Sequence, residues 1–147
     1  MTEILKVGVV GMGLIGPIHV KCFHEYERSK VTAVCAQRND VAESVARQIG
    51  AKPFDSFHEM LRKGDVDAVS VCTPSYLHAP MTILAAQYGK HVLVEKPMAT
   101  TLVGADEMIT ACKDRGVKLG VVFNMRFNPN IQRVKNAIDQ GKLGRPI

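Results

Sequence analysis

VGVVGMGLIGP, residues 7–17, is the stretch on which the fold of this chain turns. It closes a short apolar run, ILKVGVV at 4–10, and opens a segment from 14 to 28 in which Ile15, Ile18, Cys22 and Phe23 recur at helical spacing. Between the two lie Gly11, Gly13 and Gly16 in G-x-G-x-x-G spacing. Taken alone the spacing is weak. Placed between a strand and a helix it is the dinucleotide-binding turn: Gly11 for the tight turn, Gly13 for close approach of a pyrophosphate, Gly16 for packing of helix on strand. The amides of Met12, Leu14 and Ile15 then face the phosphates at a helix N-terminus. Pro17 falls in the first helical turn, where its missing N–H matters least. The competing reading is a glycine-rich turn that binds nothing, and the strand-before, helix-after context favours binding.

The alternation continues outward. VTAVCA at 31–36 reads as a strand, 40–48 as a helix ended by Gly50, 57–62 as a helical stretch before Gly64, and DAVSVC at 67–72 as a third strand. Beyond it, 76–88 reads as a helix ending at Gly89, HVLV at 91–94 as a strand, 102–115 as a helix ending at Gly116, and VKLGVVF at 117–123 as another strand. Asp40, Asp106 and Glu107 lie early in their helices and Lys113 and Arg115 late, which suits the helix dipole. Val-rich strands alternating with helices predict an α/β fold, a doubly wound parallel sheet covered on both faces. The reading assigns 1–122 to a dinucleotide-binding Rossmann domain. Residues 123–147 are a crossover helix, begun at Asn128-Pro129 and running over 131–140, followed by GKLGRPI as a connector. A chain that ends in a connector is expected to continue into a second domain.

With 147 residues, 46% hydrophobic and 22% charged, the chain has material for one compact domain and not for two. Lys6 and Gly8 interrupt the opening, so neither a signal pattern nor a bilayer-spanning run is present, and a cytoplasmic protein without membrane partners is expected. Cys22, Cys35, Cys72 and Cys112 form no C-x-x-C pair, which predicts free thiols and no metal site. The net charge of +5 comes from scattered Lys and Arg, and Trp is absent; an anionic small molecule fits this better than nucleic acid.

About 20 residues past the glycine turn, an acid is expected to hold the ribose hydroxyls of NAD. Here the second strand ends in Ala36-Gln37-Arg38. With Gln37 in place of a carboxylate and Arg38 next, a 2′-phosphate meets a cation, which favours NADP over NAD. The alternative is a solvated Arg38, with Asp40 doing the acid's work one turn later. In VLVEKPMATT, residues 92–101, a strand of a doubly wound sheet delivers Glu95, Lys96 and Pro97 to the ligand crevice at its carboxyl end. Pro97 restricts the backbone of Lys96 to extended conformations and so narrows the aim of its side chain.

GMGLIG at 11–16, VCTPSYLHAPM at 71–81 and GKHVLVEKPMATT at 89–101 together resemble the cofactor domain of the glucose-fructose oxidoreductase, inositol dehydrogenase and MocA family. The resemblance runs through FNMRFNPN at 123–130 to the GKLGRPI ending. It implies a nicotinamide-dependent enzyme acting on a carbinol carbon of a sugar, cyclitol or related polyol. Glu95, Lys96 and Pro97 match the family's Glu-Lys-Pro, with Lys96 as the catalytic residue and a cis Lys96-Pro97 bond. Cys72, Thr73, Pro74 and His78 match the segment that lines the cofactor. For His78 two readings stay open, contact with the nicotinamide or local capping and packing. His19 is assigned to packing, His24, His58 and His91 to no ligand group, and Arg126 either to the substrate side or to solvent. The family's second α+β domain contributes an Asp, a His and the oligomer interface; with none of it in the chain, cofactor binding with little turnover is expected. A nucleotide-sensing regulator that keeps the site without catalysis is the alternative.

Overall fold

The computed structural model describes residues 4–144. Strands β1 (Leu5–Val10), β2 (Ser29–Cys35), β3 (Lys52–Phe54), β4 (Ala68–Val71), β5 (His91–Val94) and β6 (Leu119–Val121) form one sheet in the order β3-β2-β1-β4-β5-β6. Every pairing is parallel. Helices α1 (Gly16–Glu25), α2 (Asn39–Ile49), α3 (Phe57–Lys63), α4 (His78–Gln87) and α5 (Leu102–Asp114) connect successive strands, and α6 (Pro129–Asp139) follows β6. The order reverses between β1 and β4. That is the switch point of the doubly wound fold, where the two halves of the sheet part and leave a crevice above the carboxyl ends.

Side-chain alternation along β1 builds both layers of the core. Val7 and Val9 pack with Val20, Val31, Val34 and Ala46 on one face of the sheet, while Val10 joins Met60, Leu61, Val69, Val71, Val94 and Met108 on the other. Met60 and Met108 are fully enclosed; burying such a side chain stabilises the fold by about 1.5–3 kcal/mol. Ends are set locally. Gly50 closes α2 at a φ of 68°, Ser56 caps α3, and Thr101 caps α5 through the N–H of Gly104 at 3.1 Å.

The structure departs from the periodicity reading in three places. β3 is not foreseen, because it has three residues and contains Pro53; on an edge strand with β2 as its one neighbour, the missing N–H is tolerated. The expected helix over 76–88 begins as a 3-10 turn, Ser75–Leu77, and becomes α-helical at His78. The buried face of α1 is also rotated: Ile18 and Cys22 point to solvent, and the face turned to the sheet is Gly16, His19, Val20 and Phe23. A histidine had hidden that face from an apolar count. Residues 141–144 of GKLGRPI form a turn, and 145–147 lie outside the described residues.

Candidate functional site

The glycine turn is tied to both neighbours of β1. The N–H of Gly11 donates to the Cys35 carbonyl at 2.9 Å, and the N–H of Cys72 donates to the Val10 carbonyl at 2.8 Å. Gly11 sits at a φ of 93°, and a Cβ there would lie 2.6 Å from the Cys72 carbonyl oxygen, so only glycine fits. At Gly16 a Cβ would stand 1.9 Å from the Gly11 oxygen. At Gly13 a Cβ would meet nothing within 4 Å. The first and last glycines are therefore required by the fold, whereas the middle one faces open space. Ile15, the N-cap of α1, makes no side-chain capping bond; in the first turn Pro17 has no N–H, and the amides of Ile18 and His19 donate to the Ile15 carbonyl at 3.0 and 3.1 Å.

Beside this turn lies a cleft of about 520 Å³, within the range of small-molecule sites. Gly11, Met12, Gly13, Gln37, Arg38, Cys72, Thr73 and Pro74 line it, so eight of the residues singled out from sequence converge on one cavity. Asp55, Phe57, Tyr76 and Met81, which sequence reasoning passed over, complete the walls. For Asp55, Phe57 and Tyr76 the sequence signal was position, just past the carboxyl end of β3 or β4, whereas Met81 comes from within α4. Leu14 and Ile15 stand at the tip of the turn outside the cleft, Leu14 being 92% exposed, and Gly16 is buried beneath them.

Arg38 and Asp40, the residues behind the two cofactor readings, bind each other. Arg38 Nε donates to Asp40 Oδ1 at 3.2 Å and Nη2 to Oδ2. The hydrogen bond from Arg38, with its charge, holds the Asp40 carboxyl below the usual carboxylate range. The guanidinium therefore faces the cleft already half-neutralised. Cys35 and Cys72 are free thiols in the cleft wall. Burial pushes Cys35 up to about 12, helped by the Asp55 charge. Burial likewise pushes Cys72 up to about 11, with the Ser70 hydrogen bond opposing and the Glu95 charge adding. Both are protonated near neutral pH; Cys35 serves as apolar lining, while Cys72 also contacts the Ser70 hydroxyl. Among the described residues no group of three or more His, Cys, Asp or Glu is placed to hold a metal ion, and no helix is long and apolar enough to cross a membrane.

At the end of β5 the chain turns through a cis Lys96-Pro97 bond. Lys96 is exposed, and its ammonium has no hydrogen-bond or ion-pair partner among the described residues. Glu95 lies beneath it, its side chain 11% exposed. One carboxylate oxygen accepts the backbone N–H of Lys96 at 3.0 Å; the other accepts from His19 Nε2 at 3.1 Å. Glu95 thus braces the turn and does not hold the ammonium.

For His78 the geometry favours local packing over contact with the nicotinamide. It is 1% exposed, with Nδ1 2.8 Å from the Pro97 carbonyl and Nε2 2.9 Å from the Thr73 carbonyl. Both ring nitrogens face backbone carbonyls, which only accept, so a neutral ring donates to one of them and only a doubly protonated ring to both; buried between the loop after β4 and the loop after β5, His78 presents no edge to a ligand. His19 requires a correction, from packing to a polar link between α1 and the end of β5. Arg126 stacks over the Phe123 ring at 5.6 Å and is exposed.

Comparison with known proteins agrees with this geometry. The profile of an oxidoreductase family with an NAD-binding Rossmann fold matches residues 5–123. The chain is 33% identical over 143 residues to myo-inositol 2-dehydrogenase of Thermotoga maritima, covering 97% of this chain and 43% of that protein. It superposes with a TM-score of 0.90 at 38% identity on the WlbA dehydrogenase of Bordetella pertussis, solved with NADH and UDP-GlcNAcA, covering 97% of this chain and 42% of that one. On KijD10, a 3-ketoreductase of Actinomadura kijaniata solved with TDP-benzene and NADP, the TM-score is 0.88 at 31% identity, covering 95% and 44%. The chain spans less than half the length of these relatives. The glycine turn at the switch point, the cleft beside it and the matched profile together place this chain in the oxidoreductase family with an NAD-binding Rossmann fold.

Proposed function

We propose that the chain is the cofactor-binding part of an NAD(P)-dependent oxidoreductase acting on a hydroxyl-bearing carbon of a sugar, cyclitol or similar polyol, with residues 1–122 as the binding unit and α6 as the crossover. The observation that carries this is the Lys96 ammonium, without a partner among the described residues, at the carboxyl end of β5 and on the same sheet edge as the glycine turn. A pyridine dinucleotide fits the residues present, because Gly13 leaves open the space a pyrophosphate needs and the cleft has room for the adenosine half. The amides of Met12, Leu14 and Ile15 would hold the phosphates, Gln37 and Arg38 the adenosine ribose, and Cys72, Thr73 and Pro74 the wall behind it. When bound, the dinucleotide supplies or accepts the hydride.

The chain's own contribution is charge and position. Lys96 donates a hydrogen bond to the substrate oxygen and stabilises negative charge as it develops there. Glu95 fixes the backbone from which that ammonium extends, and His78 holds the two loops that frame the crevice. Between the two cofactors we favour NADP, since Arg38 can turn its exposed guanidinium from Asp40 to a 2′-phosphate. The test is the full-length protein, titrated with NADP and NAD and assayed against a panel of sugars and cyclitols, with Lys96→Met beside it. Loss of roughly 100-fold or more in kcat is expected. An unchanged rate overturns the catalytic role, turnover with neither cofactor returns the nucleotide-sensing alternative, and tighter NAD binding reverses the cofactor preference.

A further inference from the structure

A buried polar chain runs beneath the crevice from one of its walls to the other. Cys72 Sγ lies 3.6 Å from Ser70 Oγ, Ser70 Oγ 2.8 Å from His19 Nδ1, and His19 Nε2 3.1 Å from Glu95 Oε1; Glu95 Oε2 then accepts the Lys96 N–H. Ser70 is fully buried, and the side chains of His19 and Glu95 are 12% and 11% exposed. Three elements contribute to it: α1, which carries the glycine turn at its start, β4, and the end of β5.

The donor pattern orders the chain. An ionised carboxylate accepts only, so His19 Nε2 carries a proton and donates it to Glu95. In that tautomer Nδ1 is an acceptor, and the Ser70 hydroxyl donates to it. A carboxylate this buried would otherwise keep one short backbone donor, and leaving a charged acceptor underbonded favours rotation of the side chain toward water. Glu95 cannot rotate without releasing the Lys96 N–H, and with it the backbone geometry from which the ammonium extends.

We infer that His19 is a positioning residue: through Glu95 it sets the place of Lys96 relative to the glycine turn, so that the cofactor's phosphate site and the proton-handling ammonium move as one rigid unit. The inference rests on the oxidoreductase reading of Lys96 and goes beyond it in assigning the group that holds that lysine in register. His19 stands three residues after the last glycine of the turn, so the helix that receives the phosphates also carries the brace.

Glutamine and asparagine separate the two ring nitrogens. The amide of Gln reaches to where Nε2 stands and can donate to Glu95, whereas that of Asn reaches only the Nδ1 side, toward Ser70. In the full-length protein His19→Asn is expected to lower kcat roughly 10- to 100-fold, the range of groups that orient a reacting residue, with dinucleotide Kd held within about threefold. His19→Gln is expected to restore most of the rate. Equal loss in both variants, no loss in either, or a change in Kd in place of kcat overturns the inference. A measurement on the unmodified protein guards against a variant that fails to fold: the ¹⁵N chemical shifts of the His19 ring report an Nε2–H tautomer if the brace exists, and an Nδ1–H tautomer sinks it. Lys96→Met in the same assay separates the two readings. If that variant is inactive while His19→Asn keeps full rate, the brace alone fails; if it keeps full rate, the oxidoreductase reading of the site fails and takes the brace with it.

Discussion

Gly13 and Gly16 are three residues apart in one motif, and the structure predicts opposite consequences for replacing them with alanine. At Gly16 the new Cβ falls 1.9 Å from the Gly11 oxygen and 2.9 Å from its carbon, both backbone atoms, and 3.1 Å from Met12 Cε. Ordinary contact begins near 3.4 Å, so the first turn of α1 must back away from β1 by more than 1 Å. Overpacking of this kind costs about 1–3 kcal/mol, and it also displaces the amides that would receive the phosphates. At Gly13 the Cβ meets nothing within 4 Å, and its φ lies outside the left-handed region. Gly13→Ala should therefore stabilise the empty protein by about 0.4–1 kcal/mol through the entropy of the unfolded chain, a rise in Tm of up to about 4 °C. The same methyl group occupies the space through which a pyrophosphate would approach. If contact there costs about 1–3 kcal/mol, as overpacking does elsewhere, dinucleotide affinity falls roughly 5- to 150-fold. Thermal melting without nucleotide and calorimetric titration with NADP measure the two effects separately. Gly16→Ala should lose both stability and binding, Gly13→Ala binding alone. Unchanged affinity in Gly13→Ala would show that no phosphate approaches that face of the turn, and the cofactor placement would fall with it.

Two further predictions concern titration. Above pH 9.0, the ordinary thiol value, the unfolded chain sheds the protons of Cys35 and Cys72 while the folded chain keeps them until about 12 and 11. Stability should therefore fall as pH rises through that window, because the unfolded state then binds fewer protons. Urea unfolding at pH 8 and pH 10.5 checks this, and the difference should shrink in a Cys35→Ala, Cys72→Ala double variant. Asp40 has its carboxyl held below its ordinary value of 3.8 by Arg38, so the ion pair is present at neutral pH and is lost as pH falls through the depressed value. An NMR titration of the Asp40 carboxyl should show it returning to the ordinary value in Arg38→Ala; no movement would mean that the two side chains are not paired in solution.

What could be read from the sequence is what the chain settles over short distances. Gly16 is demanded by the Gly11 oxygen five residues earlier, and the Val-rich strands by a sheet buried on both faces, so fold class, every strand but β3 and the location of the crevice were legible, whereas the clash that reserves position 11 for glycine comes from Cys72 beside it in the fold. The match of Glu95-Lys96-Pro97 to a strand end was legible for the same reason. Tertiary structure alone decided which polar atoms meet. His19 reaches Ser70 and Glu95 across 51 and 76 positions, and His78 joins Thr73 to Pro97, so nothing in local periodicity distinguishes these two histidines from packing or from ligand contact. Of the two readings open for His78 the packing one fits its closed position, and His19, expected to pack, links to the turn after β5. Periodicity reports which side of an element is buried on average; where a buried polar group finds its partner depends on which elements the sheet order sets side by side, and that order exists only once the chain has folded.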